Sequence, residues 1–196
     1  MQAKFSQRLF AYVIDFIILL LVVNIVTSFI PVPSSQEEIN NQIKELDDKY
    51  VNSEISINEY LSEYEVKIIE YDKSNIALNI CQLIFILGYF VTIPVLNNGQ
   101  TIGKKILKIK IVKNDGKLTF KEMIIRSFVT TSLMQLLTST ILVYFISSNY
   151  YFKTTTILTI IQILLVISTS FMILYRKDKK GVQDIITNTS VIEVEK

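Results

Sequence analysis

The chain has 196 residues, half of them hydrophobic and only 19% charged, with a net charge of +2 and a mean hydropathy of +0.40. That balance excludes an ordinary soluble domain and gives no basis for charge-driven binding to nucleic acid. The single cysteine, Cys81, excludes a disulfide within the chain, and the absence of histidine leaves carboxylates as the proton-active groups.

Four windows, residues 9–30, 76–96, 127–147 and 154–175, are long enough to cross a hydrocarbon core, which needs roughly 20 apolar residues. The first contains Asp15, seven residues after Arg8, and is the only one of the four to hold a charge. A carboxylate at that depth costs about 2.5–3.5 kcal/mol on insertion scales, so it requires a partner, a wet cavity or a proton. Although Lys4 and Arg8 precede the run, its length, its carboxylate and its end at Ile30-Pro-Val-Pro33 argue for an uncleaved helix rather than a signal peptide.

Basic residues set the expected orientation. Lys4 and Arg8 open the first helix, eight Lys or Arg lie in residues 97–126 and five follow Tyr175, whereas residues 31–75 carry eleven acidic and four basic residues. Both termini and the middle loop are therefore expected to be cytoplasmic, with the basic loop against anionic lipid. The expected fold class is an all-α membrane protein of four transmembrane helices, with an acidic extracytoplasmic helical segment and a small cytoplasmic β element. The whole chain forms one domain, with residues 97–126 as its basic cytoplasmic loop and 176–196 as its cytoplasmic tail.

In the acidic segment, Ser34-Ser-Gln-Glu37 and Ser56-Ile-Asn-Glu59 have the spacing of capping boxes, predicting two short helices. Ile57, Tyr60, Leu61, Tyr64, Ile68 and Tyr71 form an apolar stripe on the second. After the second window, alternation over residues 108–112 and the turn signal Asn114-Asp-Gly116 predict a strand, and Thr119-Phe-Lys-Glu122 a further capping box. Residues 189–194 read as a second strand that pairs with the first, since a lone strand is marginal. Gly99-Gln-Thr-Ile-Gly103-Lys104 is no nucleotide loop: its glycines are one residue too close and Lys105 stands where Ser or Thr belongs.

Helix geometry places Arg8 and Asp15 on nearly the same face, roughly 10 Å apart along the axis. Asp184 falls on the same expected side, so an Arg8–Asp184 ion pair at the membrane boundary is anticipated. Counting depth from the cytoplasmic side brings Tyr89, Thr92, Thr131, Gln135, Ser168 and Ser170 level with Asp15 as a candidate polar layer. Such a layer either solvates Asp15 as a cation or proton site or supplies hydrogen bonds between helices. No nucleophile–base set, metal cluster or cofactor fingerprint is visible, so neither an enzyme nor a cofactor is expected.

The ordered set Arg8-Leu-Phe-Ala-Tyr-Val-Ile-Asp15, Gly99-Gln-Thr101-Ile-Gly103-Lys104 through Val112, Asp115-Gly116, Arg126, and Gly181-Val-Gln-Asp184 with Thr189 resembles the RDD family, membrane proteins named for one arginine and two aspartates. The resemblance implies that Arg8, Asp15 and Asp184 are the family residues, with Gln183 where the family often has a basic residue or histidine. It further implies a bacterial plasma-membrane protein, with cation/proton antiport proposed for some members. Two functions follow as expectations. One is a monovalent cation/proton transporter acting as a homo-oligomer; the other is a scaffold or partner-binding protein in which the three charged residues are a structural clamp.

Overall fold

The structure is a computed structural model that describes residues 1–31 and 33–194. Among the described residues three helices are long and apolar enough to cross a membrane: α1 (Phe5–Thr27), the helical run Ile76–Leu96, and α9 (Ser148–Tyr175). Their lipid-facing character is plain from α1, where Phe10, Leu21 and Ile25 are more than half exposed. Such a surface is stable only against hydrocarbon or another protein.

Between α1 and the second span stand α2 (Ser34–Val51) and α3 (Ile57–Ser74), the two helices expected of the acidic segment. The Ser56–Glu59 capping box is formed, with the Glu59 carboxylate accepting from the Ser56 amide at 2.8 Å. The other is absent. Ser34 already lies inside α2 and Pro33 holds the cap position, so the chain enters this helix without a side-chain cap. Tyr50, Tyr60 and Tyr64 stack in succession, and Tyr64 meets Phe152 of α9 edge-on, so the α3 stripe packs on a neighbouring helix. Beside it Tyr151, fully buried, donates its hydroxyl to Asp72.

The second span is not a uniform helix. It runs as α4 (Ile76–Ile86), a π-helical segment Leu87–Thr92, and α5 (Ile93–Leu96). Pro94 cannot donate to the preceding turn, which favours the wider winding just before it. That widened turn carries Tyr89.

The third expected span, residues 127–147, differs from expectation. It divides into α7 (Phe120–Thr130) and α8 (Leu133–Leu142), separated by Thr131 in an extended conformation. The Thr131 hydroxyl donates to the Ser127 carbonyl at 2.7 Å and accepts from the Leu133 amide at 3.3 Å. A local side-chain turn thus replaces the helical ladder.

After α5 come α6 (Ile102–Ile106) and β1 (Ile109–Lys113); after α9 come α10 (Val182–Ile186) and β2 (Thr189–Glu193). The two strands pair, as expected, and do so antiparallel with Ile111 opposite Val191. Residues 1–3 add a bridge on the other edge of β2, where the Ala3 amide donates to the Val191 carbonyl. Ile109, Ile111 and Val191 face inward onto Ala11, Val91 and Met123, which fixes the sheet to one end of the bundle.

The two sheet arms repeat one another. Each has a cap residue (Thr101, Gly181), a five-residue helix, a residue in the left-handed region (Lys108, Asn188) and a five-residue strand. Thr101 corresponds to Gly181, Lys108 to Asn188 and Ile109 to Thr189, an offset of 80 residues throughout.

Candidate functional site

At the sheet end of the bundle two buried carboxylates each hold one short helix against a long one. Asp15 is fully buried on α1. Its Oδ1 accepts from the Tyr89 hydroxyl and from the Gly103 amide, both at 2.7 Å, and its Oδ2 accepts from the Thr101 hydroxyl at 2.5 Å. The Lys104 ammonium lies 3.6 Å from Oδ2 and also donates to Thr101 Oγ1 at 3.2 Å. Away from water a carboxylate needs nearly all its acceptor positions filled, and Asp15 has three strong donors and one cation.

The local sequence explains why the loop can approach so closely. Thr101 caps α6, so its hydroxyl and the free amide of Gly103 stand at the positive end of that turn. A Cβ on Gly103 would sit 2.2 Å from the Ala11 carbonyl oxygen, so only glycine lets α6 lie on α1. Gly99, at φ +82°, turns the chain back so that its carbonyl accepts from Ile111.

Asp184 is the second centre, and it too is fully buried. Its Oδ2 accepts from Arg8 Nη1 at 2.8 Å and from the Gly181 amide at 3.0 Å, while Oδ1 accepts from Arg126 Nη1 at 2.5 Å. Arg126 Nη1 also donates to Thr189, and Arg8 Nη2 reaches the Val191 carbonyl at 3.4 Å. Burial pushes the Asp184 pKa up, but the flanking Arg126 and Arg8 guanidiniums outweigh it and hold the carboxyl below its usual range. Burial acts alike on Lys104, drawing its ammonium pKa down against the pull of Asp15. Thr169 on α9 donates to Gln183 at 3.0 Å, which ties α10 to the last span.

The expected Arg8–Asp184 pair is present. The expected polar layer does not assemble: of its six members only Tyr89 reaches Asp15. Thr92 donates to the Leu87 carbonyl, Thr131 to Ser127 and Ser170 to Val166, while Ser168 is exposed. Gln135 lines a separate polar cavity of about 520 Å³ toward the acidic segment, with Asp72, Asn79, Ser132, Thr155 and Thr159. Gly116 occupies the turn after β1 at φ +101°, where neighbouring Asp115 accepts from Asn188. The sequence reading did not assign Lys104 and Thr101 to Asp15, nor Arg126 to Asp184. The 80-residue offset relates the two arms to each other and not to their partners on α1 and α7, so neither pairing leaves a mark in the sequence pattern.

No curated protein and no solved structure matches the chain. The model of the RDD family matches residues 2–188, nearly the whole length, and the chain is a membrane protein belonging to the RDD family.

Proposed function

We propose that this protein is a non-enzymatic membrane scaffold in which Arg8, Asp15 and Asp184 act as a structural clamp, holding a two-stranded platform on the membrane bundle for a protein partner. The observation that carries the reading is the saturation of Asp15, whose donors Tyr89, Thr101 and Gly103 and whose cation Lys104 leave no oxygen open to a metal ion. A coordinated Na⁺ or K⁺ needs several free oxygens, and a proton carrier needs a path to water.

The proposed setting is a bacterial plasma membrane crossed four times, residues 127–147, the end of α7 together with α8, making the third crossing. The termini, the 97–126 loop and the 176–196 tail face the cytoplasm, and the 31–75 segment lies outside. The positive-inside distribution supports this orientation and sets the basic loop against anionic lipid.

A second reading, monovalent cation/proton transport by a homo-oligomer, is favoured by one feature. The hydroxyl-rich cavity with Asp72 opens toward the acidic segment, and the apolar layer of Leu19, Leu83, Ile86 and Leu133 lies between it and Asp15. Along the second span the order Asn79, Leu83, Ile86, Tyr89 runs from cavity through layer to carboxylate. A polar vestibule, a closed layer and an occluded acid are the parts a gated pathway requires.

Reconstitution in vesicles with an internal pH dye and imposed Na⁺, K⁺ or Li⁺ gradients separates the two. The clamp predicts flux equal to that of empty vesicles, together with a lower unfolding temperature for Asp15→Asn. Cation-dependent proton flux abolished in Asp15→Asn overturns it in favour of transport.

A further inference from the structure

A second cavity, of about 260 Å³, lies at the sheet end between α1, α7 and α9. Its wall is mainly apolar, yet among the described residues the charged ones in it are Arg8, Lys104 and Arg126, and no carboxylate lines it. Asp15 and Asp184 touch these cations from behind the wall, leaving, among the described residues, three largely buried cations against two carboxylates. An uncompensated charge in such a place is costly, and a counter-anion entering the cavity removes that cost.

Two details of the arginines point to a ligand. The Nε of Arg8 is buried and has no hydrogen-bond partner among the described residues. Arg126 makes both of its side-chain hydrogen bonds through Nη1, so the rest of its fork remains to bind. The cavity is too small for a whole lipid, but it suits a headgroup phosphate. Leu9, Tyr12 and Val166 at its edge are exposed on α1 and α9, in line with the path of an acyl chain.

We propose that this cavity binds one anionic phospholipid, its phosphate on Arg8, Lys104 and Arg126 and its chain along the cleft between α1 and α9. The site is interior and differs from general attraction of the surface lysines to a charged leaflet. A free phosphate would satisfy the cations but leave the apolar flank unused, whereas a zwitterionic lipid would bring a second cation to a positive site.

The test is native mass spectrometry of the full chain released from detergent with phosphatidylglycerol, phosphatidylcholine or inorganic phosphate. One retained phosphatidylglycerol, held about tenfold more tightly than phosphatidylcholine, is the expected result. Val166→Trp, which fills the edge and keeps every charge, is expected to reduce retention at least about tenfold. Equal retention of the two lipids, displacement of phosphatidylglycerol by millimolar phosphate, or full retention in a folded Val166→Trp overturns the proposal. The wild-type lipid comparison decides the matter by itself where that variant does not fold.

Discussion

Lys104 and Asp184 occupy the same place in the two arms of the sheet, third after the cap of a five-residue helix, and they carry opposite charges. Lys104 faces a carboxylate on α1; Asp184 faces a guanidinium on α7. One local architecture thus docks twice with its ion pair reversed. The reversal is not energetically symmetric, because Asp184 is the sole carboxylate between two arginines, whereas Lys104 is one of four partners of Asp15.

Replacing Asp184 by Asn therefore leaves Arg8 and Arg126 buried together without a counter-charge and is expected to cost about 3–5 kcal/mol. Lys104→Gln removes the cation facing the buried Asp15 but leaves its three hydrogen bonds, and is expected to cost less, about 1.5–3 kcal/mol. Chemical unfolding in mild detergent gives both values. Equal losses would show that the two arms bear load alike, contrary to their different partner sets.

A glycine comparison probes how closely α6 must approach α1. In Gly103→Ala the new methyl meets the Ala11 backbone oxygen at 2.2 Å, and a backbone atom cannot rotate away. The expected loss is about 3 kcal/mol or more, with Tyr89 and Thr101 drawn away from Asp15. Gly116→Ala has open space around it and pays only for its left-handed φ, about 1 kcal/mol. Thermal unfolding of the two variants side by side tests the contrast.

Much of this site was legible in the sequence, and the limits have physical causes. Arg8 and Asp184 could be paired because basic-residue distribution assigned them to one side of the bundle. Of the partners of Asp15, counting depth finds Tyr89 alone, since depth along a helix gives height but not the direction a side chain faces. The other three, Thr101, Gly103 and Lys104, come from a loop that turns back at Gly99, and hydrophobic periodicity carries no sign of such a return. The break at Thr131 was hidden for a related reason. Apolar residues continue on both sides of Thr130-Thr-Ser132, so hydropathy shows one window where hydroxyls satisfying the local backbone make two helices.

Glu122 supplies a pH test at the sheet end. Hydrogen bonds from Lys113 and from Thr119, with which it forms a capping box, lower its pKa to about 2 from an ordinary 4.5. A depressed carboxyl pKa means that the folded state favours the ionised form. The stability it contributes is present above about pH 4.5 and is lost as pH falls toward 2. The unfolding temperature of Glu122→Gln is expected to lie below that of the wild type at pH 6, with the gap closing as pH falls through that window. A gap independent of pH would show that the Glu122 side chain acts through shape rather than charge.

Asp72 behaves in the opposite sense and bears on the choice between scaffold and transporter. Burial raises its pKa, while the hydrogen bond from Tyr151 opposes the rise. Tyr151→Phe removes the opposing contact, so the Asp72 pKa is expected to move further upward. Because a raised carboxyl pKa favours the protonated form in the fold, the stability linked to Asp72 is greatest at low pH and falls as pH rises from about 3.8 to the folded pKa. Infrared difference titration of the carboxyl stretch, with Asp72→Asn to assign the band, reads the shift directly. Under the scaffold reading this titration proceeds unchanged by Na⁺ or K⁺, since the acid only anchors α3 to α9. Displacement of the Asp72 proton by either cation would show that the hydroxyl-lined cavity binds ions, and would move the balance to transport.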